Sequence, residues 1–298
     1  MSRALKLLTL PADRDALQAR LGVLRAITSM CAAIAALAIA TAAFAAPAFA
    51  DDARPAAGIA DNSFLIEEAY NQEAGVVQHI ATFARQNGTW TAAYTDEWPM
   101  ISQVHQFSYT VPYAWLDDSE GGADGIGDVL LNYRYQALFE SDGLPAFAPR
   151  ISLILPTGDE NRGLGDGSTG YQINLPVSKI MTDRITLHGN AGLTSYFDID
   201  GHQPVSFHAG GSMIYAATRD FNLMLEALHT WDETVNDVGA LERDRTFTLS
   251  PGIRTAFNRP EGQLVLGIAA PIEFSAGERD YGVFFYGSFE HSFLAAQH

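Results

Sequence analysis

The sequence predicts an all-β fold, a transmembrane antiparallel β-barrel of about twelve strands preceded by a short N-terminal segment. Three observations predict it. The last strand, Tyr281–Phe293, alternates aromatic or apolar residues with polar ones, so each type faces one side of the strand. The same pattern recurs at hairpin spacing back to about residue 76, and the chain opens with an export signal. Alternating segments of roughly ten residues separated by turns are typical of outer-membrane barrels.

Composition and charge exclude several classes of function. The chain has 298 residues and a formal net charge of -17; residues 1–50 contribute a net +3, so the remainder carries about -20. So acidic a protein does not attract nucleic acid, and no nucleic-acid partner is predicted. The one cysteine, Cys31, lies in the predicted leader, which excludes thiolate catalysis and cysteine-based metal sites. No cofactor is predicted.

Residues 1–50 are predicted to be a cleaved signal peptide. A basic region precedes a short alanine-rich apolar run and an Ala-x-Ala site at 48–50. A transmembrane anchor is the weaker alternative, because the run is short and ends at that site. A lipoprotein is excluded, since Cys31 precedes most of the run. We therefore expect export to the outer membrane of a Gram-negative bacterium, with outer-membrane lipid and the barrel-assembly machinery as partners.

Residues 51–75 are predicted to be a separate N-terminal segment. A short helix is expected from residue 62 to 71, with Asn62 or Ser63 as its cap. Two placements remain open. The segment either plugs the lumen or packs as a tail on the periplasmic rim. The residues that we expect to make its contacts are Phe64, Glu67, Glu68 and Tyr70.

The barrel itself is predicted to span residues 76–298. Apolar residues at every second position face lipid, and the polar residues between them face the lumen. An even strand count leaves no exposed edge. The predicted strands are 76–85, 88–98, 102–113, 125–139, 147–157, 169–179, 183–198, 205–217, 220–231, 244–257, 262–274 and 280–293.

The lengths of the connections give an independent argument. With the N-terminus in the periplasm, the periplasmic gaps are all short, whereas most external gaps are longer and acidic or glycine-rich, such as 114–124, 158–168 and 232–243. Short periplasmic turns and long external loops are the outer-membrane pattern. The tight first external turn, Gln86-Asn87, is an exception.

Several short motifs give the chain a resemblance to a known family. They are Asp61–Glu73 with Val76-Val77-Gln78-His79, Glu97-Trp98-Pro99, Gly125-Ile126-Gly127-Asp128-Val129 with Tyr133-Arg134-Tyr135, and Leu153-Ile154-Leu155-Pro156-Thr157-Gly158. In these residues the chain resembles the bacterial outer-membrane barrels of the MetA-pathway phenol-degradation, transporter-like family. The resemblance implies a barrel that passes small, often hydrophobic or aromatic compounds.

Other motifs are better explained by structure than by chemistry. Gly125–Asp128 precedes a strand instead of a helix, so it is not a nucleotide loop. The acidic stretches at 117–124 and 159–166 lack calcium-loop spacing and are expected to be solvated loops. The histidines lack ligand spacing, so no metal site is predicted. A hydrolase needs a serine and histidine in contact, and no motif joins the candidates Ser250, Ser288, His208 and His291, so no catalytic residue is predicted.

Strand alternation directs a set of charged side chains into the lumen. They either pair with one another to hold the lumen together or filter solutes at a constriction. Glu226 and Arg254 lie on neighbouring strands near the periplasmic end, where their heads could meet, and our hypothesis is that they form part of the constriction. The predicted lumen-facing residues are Asp128, Arg134, Glu226, Arg254, Glu273 and Glu290.

The predicted function is a porin-like outer-membrane channel or transporter for small organic compounds, hydrophobic or aromatic ones included. Twelve strands fall between barrels that fill their own interior and barrels with open pores, so the lumen is expected to be narrow. A non-conducting structural or adhesive barrel and, less favoured, an outer-membrane hydrolase are the alternatives.

Overall fold

The computed structural model describes residues 58–59, 61–117, 122–236 and 238–292. The predicted signal peptide and Phe293, the last residue of the predicted final strand, lie outside these ranges. The described strands are β1 (Val76–Gln86), β2 (Thr89–Pro99), β3 (His105–Trp115), β4 (Asp124–Ile126), β5 (Val129–Tyr135), β6 (Ala146–Phe147), β7 (Arg150–Leu155), β8 (Gly170–Asn174), β9 (Val177–Thr182), β10 (Ile185–Tyr196), β11 (Val205–Thr218), β12 (Phe221–Val235), β13 (Leu241–Arg259), β14 (Gly262–Ala269), β15 (Ile272–Ser275), β16 (Glu278–Tyr281) and β17 (Val283–Ser292).

These strands form twelve antiparallel spans in one closed barrel. Five spans consist of two strands each: β4 with β5, β6 with β7, β8 with β9, β14 with β15, and β16 with β17. The barrel closes where β17 pairs with β1, in a register that sets Val77 opposite His291 and Arg85 opposite Val283. Closure leaves no strand edge towards lipid. The predicted fold class, a twelve-stranded antiparallel barrel, is confirmed.

Proline or glycine interrupts each divided span. Pro149, Pro176 and Pro271 lie in three of the breaks, and Gly127 and Gly282 in the other two. Proline has no N–H to donate, so the ladder of backbone hydrogen bonds is interrupted there. The chain continues in the same direction after each break, so the barrel stays closed.

The two faces of the wall have the opposite polarity to those of a soluble protein. On β12, Leu223 and Leu225 are exposed, whereas Asn222 and Glu226 on either side of this pair are buried. An apolar outer belt around a polar interior is the pattern of a transmembrane barrel. This polarity makes the protein an outer-membrane barrel. No helix among the described residues is long and apolar enough to cross a membrane.

The turns differ at the two ends of the barrel. Short turns such as 183–184 and 219–220 join the strands at the end that we assign to the periplasm. Asn87 and Gly88 have φ values of 49° and 83°, so the tight first external turn has the geometry of a type I′ hairpin. One predicted loop was too long. β12 and β13 continue to Val235 and from Leu241, because cross-strand pairs such as Glu233 with Arg243 extend their ladder.

Candidate functional site: the barrel interior

Residues 61–75 lie inside the periplasmic half of the barrel. The segment forms no helix, so the predicted helix over 62–71 is wrong. A helix would need hydrogen bonds from the N–H groups of the segment to its own carbonyl groups. These N–H groups bond to side chains of the wall instead. The wall residues that contact it come from strands all around the barrel: Gln78, Gln106, Arg134, Gln136, Arg150, Asn174, Ser178, Asn190, Ser212, Glu226, Arg254, Tyr286 and Ser288.

Glu226 of β12 binds the segment through three consecutive N–H groups. Its carboxylate accepts hydrogen bonds from the backbone nitrogens of Phe64 (3.3 Å), Leu65 (2.9 Å) and Ile66 (3.1 Å). The residue is 0% exposed. Hydrogen bonds to an ionised carboxylate are the strong ones, and three of them compensate its burial.

Arg254 of β13 binds the same segment through its carbonyl groups. Its Nη1 donates to the backbone oxygens of Asp61 (2.8 Å) and Asn62 (2.6 Å). Glu226 and Arg254 do not meet each other. The register sets Glu226 opposite Ser250 and Arg254 opposite Asn222, so the two are four residues apart along the ladder. Each charge is satisfied by the segment between them.

Asp61 forms a polar anchor at the start of the segment. It accepts hydrogen bonds from Gln78 Nε2 (2.8 Å), from Tyr286 Oη (2.5 Å) and from Ser288 Oγ. Asp61 is 1% exposed. These donors come from β1 and β17, so the anchor lies at the seam where the barrel closes.

Glu67 and Arg134 form the centre of the contact. Glu67 accepts from Arg150 Nε (2.9 Å), from Arg134 Nη1 (3.2 Å) and from Asn174 Nδ2 (2.5 Å). Arg134 also donates to Asn71 Oδ1 (2.9 Å) and to two backbone carbonyls of the segment. The two arginines come from neighbouring spans, so one carboxylate joins both to the segment.

Uncharged wall side chains also hold the last part of the segment. Ser178 Oγ accepts from Ala69 N (2.7 Å), Gln136 from Asn71 N (2.9 Å) and Gln106 from Gln72 N (2.7 Å). The hydroxyl of Tyr70 donates to Glu140. Periodicity alone does not single out these serine and glutamine residues, because polar inward positions occur on every strand.

Two apolar side chains of the segment pack on glycines in the wall. The Phe64 ring lies 5.5 Å from Phe284 and 5.3 Å from Tyr286 between centroids. It covers Gly252 and Gly267, whose positions have no room for a Cβ. Ile66, 1% exposed, covers Gly210 in the same way. The glycines therefore make recesses that fit these side chains.

A cavity of about 530 Å³ lies beside the segment near the periplasmic end. Isoleucine side chains line one part of it, and charged and polar groups line the rest. Burial and the carboxylate of Asp61 raise the pKa of Glu68 to about 8. The principal lining residues are Ile59, Asp61, Glu68, Tyr70, Ile180, His188, Ile214, Asn222 and Arg254.

The structure does not bring the six predicted lumen charges together. Arg134, Glu226 and Arg254 bind the segment, as described above. Asp128 lies at the external end, where it accepts from Gly158 N and Asp166 N (both 2.9 Å) and so anchors an external loop. Glu273 accepts from Asn87 at the external rim.

Glu290 stands opposite Gln78 and Gln263, near the periplasmic end of its strand.

Arg150, which binds Glu67, is not among the lumen-facing residues predicted from the sequence. Alternation with the exposed Ile151 and Leu153 was a signal that could have found it.

The serines and histidines considered for a hydrolase are not in contact. Ser288 donates to Asp61, His208 bonds to Asn174 and His291 to His79. Ser178 Oγ and His188 Nδ1, which were not among the candidates, are 2.7 Å apart. However, Ser178 Oγ also accepts a hydrogen bond from Ala69 N. No carboxylate orients His188 among the described residues, as a catalytic triad requires. In that part of the chain, no group of three or more potential ligands could hold a metal ion.

Comparisons with known proteins agree with this architecture. The sequence model of the family described as MetA-pathway of phenol degradation matches residues 67–286. No curated protein sequence matches the chain. An outer membrane channel from Pseudomonas putida F1 has a TM-score of 0.59 and 15% identity, over 76% of this chain and 98% of that one. Identity this low shows the shared fold alone.

Two further solved structures are similar at lower scores. The KdgM porin has a TM-score of 0.46 and 9% identity, over 73% of this chain and 99% of that one. The CymD monoaromatic hydrocarbon channel has a TM-score of 0.39 and 10% identity, over 74% and 89%.

Proposed function

The chain belongs to the MetA-pathway of phenol degradation family, and from this premise we propose that it is an outer-membrane channel for small organic compounds, hydrophobic or aromatic ones in particular. We propose further that residues 61–75 are its gate. The family description names phenol degradation, and this supports aromatic solutes as the class to test first.

One observation carries the proposal: the lumen is filled by residues 61–75, a segment that is not part of the barrel wall. Residues 61–75 are held by hydrogen bonds, ion pairs and two apolar side chains, all of which can break without unfolding a strand. The wall behind the segment presents glycines and small polar residues such as Ser178 and Ser212. Removal of the segment would therefore open a polar passage.

The cavity beside the segment supports the choice of solute. Isoleucine side chains and the Tyr70 ring offer an apolar surface, while Glu68, His188 and Arg254 offer a few polar groups. Binding sites for small organic molecules combine surfaces of these two kinds. At about 530 Å³, the cavity is in the size range of such sites.

The alternatives have less support. A structural or adhesive barrel needs no removable segment, and wall side chains alone would fill its lumen. A hydrolase needs a nucleophile and base with an orienting carboxylate, and among the described residues Ser178 and His188 lack the third partner. The matched structure from Pseudomonas putida F1 is described as an outer membrane channel.

A reversible lock tests the gate. Ser63 Oγ and Ser212 Oγ are 2.7 Å apart, so Ser63→Cys with Ser212→Cys places two thiols in reach of a disulfide. Cells of a deletion strain that carry this double variant should take up labelled aromatic compounds slowly when oxidised and at the wild-type rate after reduction. Ser212→Cys alone is the matched control and should not respond to reductant.

The outcomes separate the gate from the channel. If wild-type protein does not raise uptake of any aromatic or aliphatic compound above that of the deletion strain, the channel function is wrong. If wild type raises uptake and the oxidised lock does not lower it, the channel stands and the segment is not its gate.

A further inference from the structure

The external rim of the barrel carries outward-facing arginines beside aromatic rings. Each pair spans a single hairpin: Arg245 stands opposite Trp231, Arg279 opposite Phe274, and Arg85 opposite Trp90. The hairpins follow one another around the barrel, from β12 and β13 through β15 and β16 to β1 and β2. The pairs thus form a continuous arc, which we call the arginine arc.

Contact geometry places the guanidinium groups of the arc beside aromatic rings. The guanidinium of Arg85 lies 5.8 Å from the centre of the Trp90 ring, and that of Arg279 lies 5.5 Å from the Phe274 ring. Phe274 is in turn 6.1 Å from Phe247, the outward residue two positions along the strand from Arg245. Arg245 and Arg279 therefore flank one aromatic surface.

The position of the arc along the strands is that of a lipid head group. Below Arg85 lies Phe83, which is 38% exposed, and below Arg245 lies Phe247, which is 42% exposed. From one outward position of these strands to the next, the side chain changes from apolar to cationic. Such a change marks the boundary between acyl chains and head groups, where aromatic side chains concentrate.

The charge of the arc contrasts with the rest of the molecule. The whole chain has 18 lysines and arginines against 35 acidic residues. Yet Arg85, Arg245 and Arg279 are exposed, and none of them forms a salt bridge within the described ranges. Arginines that an acidic protein leaves without a carboxylate are available to an external anion.

The opposite side of the barrel lacks this feature. From β4 to β11, no arginine or lysine is found among the outward residues near the external strand ends, which include Asp124, Ile126, Leu155, Tyr171, Phe197 and Val205. A general affinity for the membrane interface would not distinguish the two sides. The arc is therefore a local site.

We propose that the arginine arc binds the phosphate groups of lipopolysaccharide in the outer leaflet. Guanidinium groups pair with phosphate oxygens through two parallel hydrogen bonds, and the rings beneath them contact the sugar and the upper acyl chains. Because the arc occupies one side of the barrel, the bound lipid holds that side at the level of the outer-leaflet head groups. The inference depends on the outer-membrane location and not on the transported solute.

Lipid binding by the purified full-length protein tests the proposal. Native mass spectrometry would compare bis-phosphorylated lipid A with the same lipid after removal of both phosphates. Each arginine near an anionic lipid contributes about fivefold to affinity. The triple variant Arg85→Gln, Arg245→Gln, Arg279→Gln should therefore bind phosphorylated lipid A on the order of a hundredfold more weakly than wild type.

A second triple variant controls for net charge. Arg184→Gln, Arg219→Gln and Arg259→Gln remove the same charge at the periplasmic turns, and this protein should bind lipid A as wild type does. Equal loss in both triple variants, or equal wild-type affinity for phosphorylated and dephosphorylated lipid A, would overturn the proposal. If the first triple variant does not assemble, the single variants Arg245→Gln and Arg279→Gln decide: each should lose about fivefold, and unchanged affinity in both overturns it.

Discussion

The ring of Phe64 lies directly on the backbone of Gly267. A Cβ at residue 267 would stand 2.4 Å from Phe64 Cζ, and one at Gly252 would stand 2.8 Å from Phe64 Cε2. Real Cβ atoms do not approach other atoms so closely. Two neighbouring strands thus each contribute a glycine to the recess that receives the first apolar residue of the N-terminal segment.

The first prediction is that Gly267→Ala releases the segment. The added methyl group occupies the place of the Phe64 ring, and such overpacking costs about 1–3 kcal/mol. The rigid strand cannot move away, so the segment shifts instead. Single-channel recordings in planar bilayers should show a larger conductance or a longer open time than wild type.

Gly287→Ala is the matched control for this prediction. At Gly287 a Cβ would meet only Leu266 Cδ2 at 3.7 Å and a carbonyl at 4.0 Å, both ordinary contacts. This variant should conduct as wild type does. If Gly267→Ala gives the same traces as Gly287→Ala, the Phe64 recess does not hold the segment.

The second prediction concerns the carboxylate that holds three backbone N–H groups. Glu226→Gln keeps the size of the side chain but removes its charge and one acceptor oxygen. Hydrogen bonds to charged groups contribute about 1.5–3 kcal/mol each, so docking of residues 64–66 should weaken by at least that amount. Limited proteolysis of the folded barrel should then cleave within residues 61–75 faster than in wild type.

Glu290→Gln controls for the loss of an inward carboxylate elsewhere. Glu290 has no hydrogen bond to the segment among the described residues, so its variant should be cleaved at the wild-type rate. Equal protection of the segment in Glu226→Gln and wild type would show that the three N–H contacts do not restrain it.

The wall was predictable from the sequence because strand geometry has a short, fixed period. Side chains alternate between the two faces, so Leu223 and Glu226 could be assigned outward and inward without any knowledge of register. Strand ends were less predictable, because the ladder of β12 and β13 extends beyond the expected ends at residues 231 and 244. The register itself was not readable, so the sequence left open whether Glu226 and Arg254 meet, and the structure shows that they do not.

The course of the N-terminal segment could not be predicted. Its contacts join residues far apart in sequence, such as Leu65 with Glu226 and Asn71 with Arg134, and they follow no period. The helical pattern at 62–71 reflects only local preferences of the chain. In the barrel, the N–H groups of this segment bond to side chains of the wall, which are stronger acceptors than the carbonyl groups of a helix. In the sequence, a glycine such as Gly210 indicates only a weak strand former. The structure shows that Ile66 covers this glycine.

Two motifs behind the family resemblance acquire a physical role in the structure. Thr157 Oγ1 donates to the Gly127 carbonyl (2.8 Å), and Asp128 accepts from Gly158 N (2.9 Å). The Gly-x-Gly-Asp and Leu-Pro-Thr-Gly stretches therefore meet at the external end. Their residues together form one loop anchor, which the separate motifs do not reveal.

The third prediction tests the assignment of the two faces. Leu223 is 44% exposed on the outer wall towards the periplasmic end, and Leu223→Arg would place a charge in lipid, at a cost that reaches about 2–4 kcal/mol at the midplane and is smaller nearer the interface. The fraction of protein that migrates as folded barrel in unboiled gel samples should fall. Arg254→Ala, on the inner face, should assemble normally and change only conductance. The reverse pair of results would mean that the faces of these strands are inverted.

The last prediction is that the docked segment is more stable at low pH. Burial and the Asp61 carboxylate raise the pKa of Glu68 to about 8 in the docked state, whereas an undocked, solvated glutamate has a pKa of about 4.3. The docked state therefore binds the proton more tightly, and this contribution is complete below the lower pKa and lost as pH rises through the higher one. Open time in planar bilayers should increase from about pH 5 and level off above about pH 8. Glu68→Gln carries a permanent neutral group, so its open time should stay near the low-pH value over the whole range. A Glu68→Gln profile that still rises as wild type does would assign the pH response to another group.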